Sequence, residues 1–304
     1  SRRHSIPMAD TDSLHRFVFE NAGIRGNLVH LDASWRAVLD THPYPQTVRE
    51  PLGEALALVA LLAATVKLNG SLILQAQGSG PIRTLVAQAT SARTLRGIAR
   101  WEGEVPGEGE LETRFGAGRL VMTIERGNRL PYQGIVPLVG ATLSEAVERY
   151  FSDSEQLPTR LWVSARGRRA AGLLLQRLPA EEPGGVGERE DSDDWRRVGL
   201  LADTLSADEL EGLTCEDLLR RLFHEDRIRL FDSEPLAFRC GCSRTRIEDM
   251  LRTLGETETM SIVAEQGAVE VTCEFCNRRY RLDAVDAGQL FAETTRHEPP
   301  AARQ

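Results

Sequence analysis

The chain has 304 residues, 41% of them hydrophobic, enough for one sizeable core and a smaller appendage. A net charge of −8 and a pI near 5.4 argue against nonspecific affinity for nucleic acid, which rests on neutralising phosphates. Lys67 is the only lysine and lies in Val66-Lys67-Leu68, so there is no Gly-Lys-Ser/Thr phosphate loop and no ATP-driven cycle of that kind is expected. The most apolar stretch, residues 55–66, is too short to cross a bilayer, so no membrane partner is expected. Ser1 to Met8 carries two arginines with no hydrophobic run behind it, so no secretory signal is read there.

From residue 9 to 178 strand-like and helical segments alternate. Residues 16–20 and 24–31 read as strands, and Asp32 opens a short helix around Trp35. Residues 48–66 form a long helix whose near-uniform hydrophobicity predicts burial on most sides. Residues 71–77 and 82–89 make a hairpin across Gly78-Ser79-Gly80-Pro81, a turn rather than a phosphate loop, since neither a helix nor a lysine follows. Further strands are expected at 95–101, 120–125 and 133–138, the last two flanking a Gly127-Asn128 turn. Thr142 caps a helix to Phe151, with Glu145 completing a capping box, and strands at 160–165 and 172–178 close the unit. The fold class is α+β, with a largely antiparallel sheet and a buried helix. No acid/base pair or catalytic triad stands out in it.

Residues 179–232 have a different character. Residues 179–194 are rich in Pro, Gly and acid and read as a flexible linker. Short amphipathic helices follow over 195–232, with Ser206 and Glu209 forming one capping box and Thr214 with Asp217 a near-equivalent. Leu178 to Asp232 carries 16 acids against 7 arginines. Short helices take most of their stability from tertiary packing. The stripes Leu200, Leu201, Leu205, then Leu210, Leu213, then Leu218, Leu222 must therefore dock somewhere. Ordinary linker helices and a metastable, releasable cover both satisfy that requirement. Cys215 shares the last stripe and reads as a packing residue.

Residues 233–291 form a small domain defined by cysteine, and 292–304 a disordered tail. Cys240-Gly-Cys242 and Cys273-Glu-Phe-Cys276 are two tight pairs separated by 30 residues. That spacing suits a four-thiolate Zn2+ site, one ion per chain, each pair supplying one edge of a tetrahedron. No histidine stands at ligand spacing, and four sulfurs would leave no open position for a hydrolytic water. Cysteines this close can also oxidise locally, so the cluster can hold a metal or store an oxidation event. Arg239, Arg244, Arg278 and Arg279 flank the ligands and would offset excess negative charge. Thr245 caps a helix to Leu254, with Glu248 at the box position, and strands at 268–272 and 278–282 put the second pair on a hairpin. Metal-spaced cysteines without a read signal suggest a reducing compartment, by default the cytoplasm.

The pattern resembles the heat shock protein 33 family, or 33 kDa chaperonins, over nearly the whole chain. The resemblance is carried by Asp12-Ser13-Leu14-His15-Arg16-Phe17, Arg25-Gly26, Trp35-Arg36, His42-Pro43-Tyr44-Pro45, Gly53-Glu54-Ala55, Leu61 to Thr65 and Gln77-Gly78-Ser79-Gly80-Pro81. Most specific is the cysteine spacing, which matches without departure. The resemblance implies a redox-regulated, ATP-independent holdase of the stress response, not an enzyme. Reduced, Cys240, Cys242, Cys273 and Cys276 would hold zinc. Oxidation would form Cys240–Cys242 and Cys273–Cys276 disulfides, release the metal and unfold the zinc domain and linker, exposing apolar surface to unfolded client proteins. Homodimers accompany activation in the family. Two other classes compete with this one, a nucleic-acid-binding zinc protein and a thiol-disulfide oxidoreductase using Cys273 and Cys276. Acidity opposes the first, and a Cys-x-x-Cys beside a hairpin rather than at a helix start opposes the second.

Overall fold

Strand alternation sets up a sheet that is apolar on both faces. β1 (Ser13–Phe19) and β2 (Ile24–Leu31) send Leu14 and Val29 to one side, Phe17 and Leu28 to the other. The computed structural model describes residues 11–66, 68–127, 129–179 and 187–295. It comprises two units that meet in sequence between Arg239 and Cys240.

In the first unit β1 and β2 are followed by α1 (Ala33–Leu39) and α2 (Gln46–Thr65). Next come β3 (Gly70–Gly78), β4 (Ile82–Thr90), β5 (Thr94–Trp101), α3 (Leu111–Phe115), β6 (Gly118–Arg126), β7 (Arg129–Pro137) and α4 (Leu143–Tyr150). A π-helical turn (Phe151–Glu155), β8 (Thr159–Ser164) and β9 (Ala170–Arg177) complete the two main sheets. One sheet runs β1-β2-β9-β8 and the other β5-β4-β3-β6-β7, all antiparallel. α2 lies between them: its Leu52, Leu56, Leu58 and Leu61 join one continuous core with Leu14, Val29 and Leu174 of the first sheet and Leu72, Leu85 and Leu120 of the second. The expected α+β architecture and buried helix are both present.

The family-like motifs explain themselves as packing. Asp12, in the left-handed region with φ of 42°, accepts hydrogen bonds from the backbone N–H groups of Asp32, Ala33 and Ser34. The start of α1 is thus capped from across the chain; Asp32 itself makes no side-chain cap. Gly26 faces Phe17 across the β1–β2 ladder, and a Cβ there would stand 2.1 Å from the Phe17 ring. At Gly78 a Cβ would meet the Phe115 carbonyl at 1.9 Å, while the Gly80 N–H donates to that same oxygen at 2.7 Å. The glycine turn therefore accommodates α3, a helix that periodicity does not announce. At α4 the Thr142 hydroxyl accepts from the Glu145 N–H, but the Glu145 carboxylate accepts from Ala141 rather than Thr142, so the expected box is only half formed.

Three helices cover the outer face of the first sheet. α5 (Gly187–Ala202), α6 (Ala207–Gly212) and α7 (Cys215–Phe223) pack Val198, Ala202, Leu210, Cys215, Leu218, Leu222 and Phe223 onto Phe17, Phe19, Ile24, Leu28, Leu173 and Leu175. The expected docking occurs, with Cys215 fully buried, except at Leu200, which is 58% exposed. α5 also begins inside the stretch read as flexible; residues 180–186 lie outside the described residues. The Ser206–Glu209 capping box is complete, and Thr214 accepts from the Asp217 N–H. Polar contacts pin the edges. The Glu211 carboxylate accepts from Ser164 and the Arg166 N–H, the Asp203 carboxylate from Trp162 and Arg160, and Arg197 donates to Asp226.

The chain then returns to the sheets through three short strands absent from the sequence reading. β10 (Ile228–Leu230) and β11 (Glu234–Pro235) pair with β1, and β12 (Ala237–Phe238) runs parallel to β5. Residues 233–239, expected in the small domain, are therefore strand-paired to the first unit because their N–H groups find carbonyl partners there.

The second unit holds α8 (Arg244–Leu254), α9 (Glu256–Gln266), β13 (Ala268–Thr272), β14 (Arg279–Asp283) and α10 (Ala284–Thr295). Ser243, not Thr245, caps α8, accepting from the Arg246 N–H; the Glu248 carboxylate instead takes the Arg244 guanidinium. α9 and α10 are not announced by the sequence pattern, and α10 carries helix to Thr295, inside the stretch read as a tail; residues 296–304 lie outside the described residues. The core comprises Leu251, Val263, Val269, Leu282, Ala287, Leu290 and Phe291. A cluster this small needs a further constraint to hold a fold.

Two outcomes are expected. Leu222→Ala empties a fully packed site and should cost about 2–5 kcal/mol locally, read as faster proteolysis within 195–226 while the two-sheet core keeps its hydrogen-exchange protection. Glu54 on α2 is raised to about 7 by burial, only partly offset by Arg114. Its folded value exceeds the unfolded one, so ionising it works against folding as pH rises from about 4.5 through 7. Glu54→Gln should therefore gain melting temperature over the parent at pH 8 and show little difference at pH 5.

Candidate metal centre

Two local structures present the sulfurs. Cys240 and Cys242 lie in the irregular segment before α8, whose Ser243 cap fixes where the helix starts. Cys273 and Cys276 occupy the turn joining β13 to β14. That turn closes because the Asn277 N–H donates to the Cys273 carbonyl at 2.8 Å and the Cys273 N–H to the Arg278 carbonyl at 2.9 Å. Asn277 sits at φ of 56°, a left-handed conformation that asparagine tolerates better than most residues. The folded-back turn aims backbone N–H groups at sulfur: those of Phe275 and Cys276 at Cys273, that of Arg278 at Cys276.

All four sulfurs lie within 4.8 Å of one another. Close sulfur–sulfur contacts run between the pairs, 3.5 Å for Cys240–Cys273 and 3.4 Å for Cys242–Cys276. A tetrahedral shell with metal–sulfur bonds near 2.3 Å sets its sulfurs about 3.8 Å apart, so these residues fit one four-coordinate ion. The donor set is all soft sulfur, which suits zinc, and closing the shell leaves no site for an activated water. The four are half-buried, and Cys215, in the first unit, takes no part.

The sulfurs have unequal acidity. Burial pushes the Cys276 thiol up to about 12 and also raises Cys273. Burial acts the same way on Cys242 but is outweighed by hydrogen bonds from Tyr280 and the neighbouring thiols, bringing it down to about 7. A bound divalent cation overrides these differences, because a coordinating thiol is deprotonated outright.

Tyr280, unmarked in the sequence, donates to the Cys242 sulfur at 3.2 Å. It lies on β14 opposite Val271, four residues beyond Cys276, with no spacing rule to announce it. The Arg278 guanidinium bonds the same tyrosine and is the nearby positive charge felt by Cys242 and Cys276. Arg244 is instead committed to Glu248 and Asp286. Arg246 comes near the first pair, its Nη1 3.1 Å from where a Gly241 Cβ would stand.

Residues 12–283 match the protein family described as Hsp33 protein. The chain is 55% identical to a 33 kDa chaperonin of Nitrosococcus oceani over 94% of its length and 96% of the relative's. It is 45% identical to a 33 kDa chaperonin of Methylobacillus flagellatus, over 93% and 96%. The crystal structure of a Thermotoga maritima 33 kDa chaperonin superposes with a TM-score of 0.80 at 23% identity, covering 94% of this chain and 99% of that one. The chain belongs to the Hsp33 family, a family of chaperones and not of enzymes. The resemblance read from the sequence is thereby borne out, and the oxidoreductase alternative falls. Among the described residues no helix is long and apolar enough to cross a membrane.

Tyr280→Phe removes the hydroxyl donor while keeping the ring. Loss of an outer-shell partner of this kind typically costs about 10–100-fold in metal affinity, to be measured by chelator competition. Acidification should weaken retention in the same direction, because protons compete for the thiolates.

Proposed function

We propose that the protein is a redox-regulated, ATP-independent holdase, held inactive while Cys240, Cys242, Cys273 and Cys276 retain one Zn2+. The convergence of all four sulfurs carries the reading. Zinc in such a site supplies folding free energy, about 10–16 kcal/mol in small peptides, to a unit whose own core is small. The cysteines are therefore both ligands and the fastening of their domain.

Oxidation by a peroxide converts the four thiolates to two disulfides. Each pair gives up two electrons, forming one S–S bond as one peroxide O–O bond breaks, and two protons complete two waters. Sulfurs engaged in disulfides no longer serve as thiolate ligands, so the metal leaves. The proposed pairing is Cys240–Cys242 and Cys273–Cys276, although close sulfur contacts in the folded site also run across the pairs. Chain proximity supports the local pairing once the domain opens, because closing a loop of one or two residues needs far less search than closing one of more than thirty. The disulfide across Gly241 is strained and correspondingly easy to reduce.

Loss of order then spreads along the chain to α5–α7, short acidic helices that rely on packing. Their release uncovers Phe17, Phe19, Leu28 and Leu173 of the first sheet together with their own leucines. Apolar surface of that kind captures unfolded client proteins and keeps them from aggregating. Homodimers accompany activation, and the protein acts in the stress response of the cytoplasm.

The decisive experiment follows light scattering of a thermally unfolding client while a chromogenic chelator reports metal. Suppression only after peroxide treatment with warming, with about one zinc released per chain, supports the switch. Equal suppression, or none, in both states reduces the cysteines to a structural clip. Cys273→Ser should lower zinc affinity and leave residues 195–232 protease-sensitive even when reduced; tight zinc with an inactive protein would exclude the mechanism.

A further inference from the structure

Between the two sheets of the first unit lies a cavity of about 410 Å³ that packing does not fill. Its body is apolar, lined by Leu62, Leu72, Met122, Ile124, Phe151 and Leu157. Its polar groups converge from three directions. Arg25 on β2 enters from the first sheet, donating from Nε to Gln176 at 3.0 Å and from Nη2 to the Thr65 carbonyl at 3.2 Å. Arg126 comes from the end of β6. In the same lining, Tyr132 and Tyr150 both donate to the Glu155 carboxylate, at 3.0 and 2.6 Å, and contact each other at 2.8 Å.

This distribution of charge is uneven. Glu155 is satisfied by two phenols. Arg25 is half-buried, its charge disfavoured by desolvation, and its partners among the described residues are a carboxamide and a backbone carbonyl, never a carboxylate. A part-buried cation facing an apolar cavity without a counter-ion is costly unless an anion completes it. The wall beside it is the π-helical turn 151–155, which contributes Phe151, Ser154 and Glu155 to the lining. Such turns are rare and cluster at functional sites. None of these residues belongs to the metal centre or to the covered sheet face.

We propose that this cavity is a binding site for a small amphipathic carboxylate, its head on Arg25 with Arg126 nearby and its chain among Leu62, Met122 and Phe151. The volume falls within the range of small-molecule pockets. The carboxylate would accept from Arg25 Nη1, the guanidinium nitrogen that the bonds to Gln176 and Thr65 leave open, and the aliphatic body would fill the apolar part of the cavity. A medium-chain fatty acid meets both requirements.

The test uses the reduced, zinc-loaded full chain and decanoate below its micellar concentration, followed by calorimetry and by melting temperature, with decanol as the uncharged isostere. Saturable 1:1 binding of decanoate, stronger than decanol, is expected. Arg25→Gln should weaken it by about tenfold or more, the value of a hydrogen-bonded charge. A second variant, Leu62→Phe, fills the cavity without touching the cation and should abolish binding while retaining zinc and the parent's circular dichroism. No saturable decanoate binding overturns the proposal. So does equal affinity for decanol, or unchanged affinity in both variants.

Discussion

A sheet with apolar side chains on both faces cannot stand in water with one face bare. In this chain β1, β2 and β9 carry Leu14, Val29 and Leu174 inward and Phe17, Leu28 and Leu173 outward. The inward set is met by the long helix between the sheets, a permanent cover. The outward set is met by three helices of 16, 6 and 9 residues, two of them too short to persist alone. The same physical demand is thus answered once with a durable element and once with a marginal one. A chaperone can use the second arrangement, because removing a weak cover creates binding surface without dismantling the core.

The metal centre has the opposite energetic character. Its domain has few buried apolar residues, and its geometry is fixed by backbone N–H groups directed at sulfur and by the Tyr280 hydroxyl. On the proposed reading, order there would depend on a chemical state rather than on buried area. If the proposed site holds its metal, stability that rests on thiolates would be stability an oxidant can withdraw.

Much of this was legible in sequence. The cysteine spacing pointed to the four sulfurs that the fold brings together, because two tight pairs at that separation suit a tetrahedral site. The long helix and most strands followed from periodicity, some to the residue, as with β2. What escaped depended on contacts distant in sequence. Asp12 caps α1 from some twenty residues away, so Asp32 looked like the cap. Ser243 is masked because Thr245 with Glu248 makes the better local pattern, although the helix begins two residues earlier. β10 to β12 are two or three residues long, below any period a pattern can register. Tyr280 and the Arg25 cavity were invisible for the same reason, since each is defined by what folding brings beside it.

Those short strands have a mechanical consequence. The helical cover leaves the first sheet after β9 and rejoins it at β10, and both ends are hydrogen-bonded to strands that neighbour each other through β2 and β1. The cover is therefore a handle fixed at two points on the surface it protects, not a flap hinged at one. Once lifted, it stays at high local concentration over its own docking face, since loop closure depends only weakly on length. Under the proposed switch, a captured chain would compete against a tethered rival that never diffuses away. On that reading, release of cargo would need only that the rival regain its order.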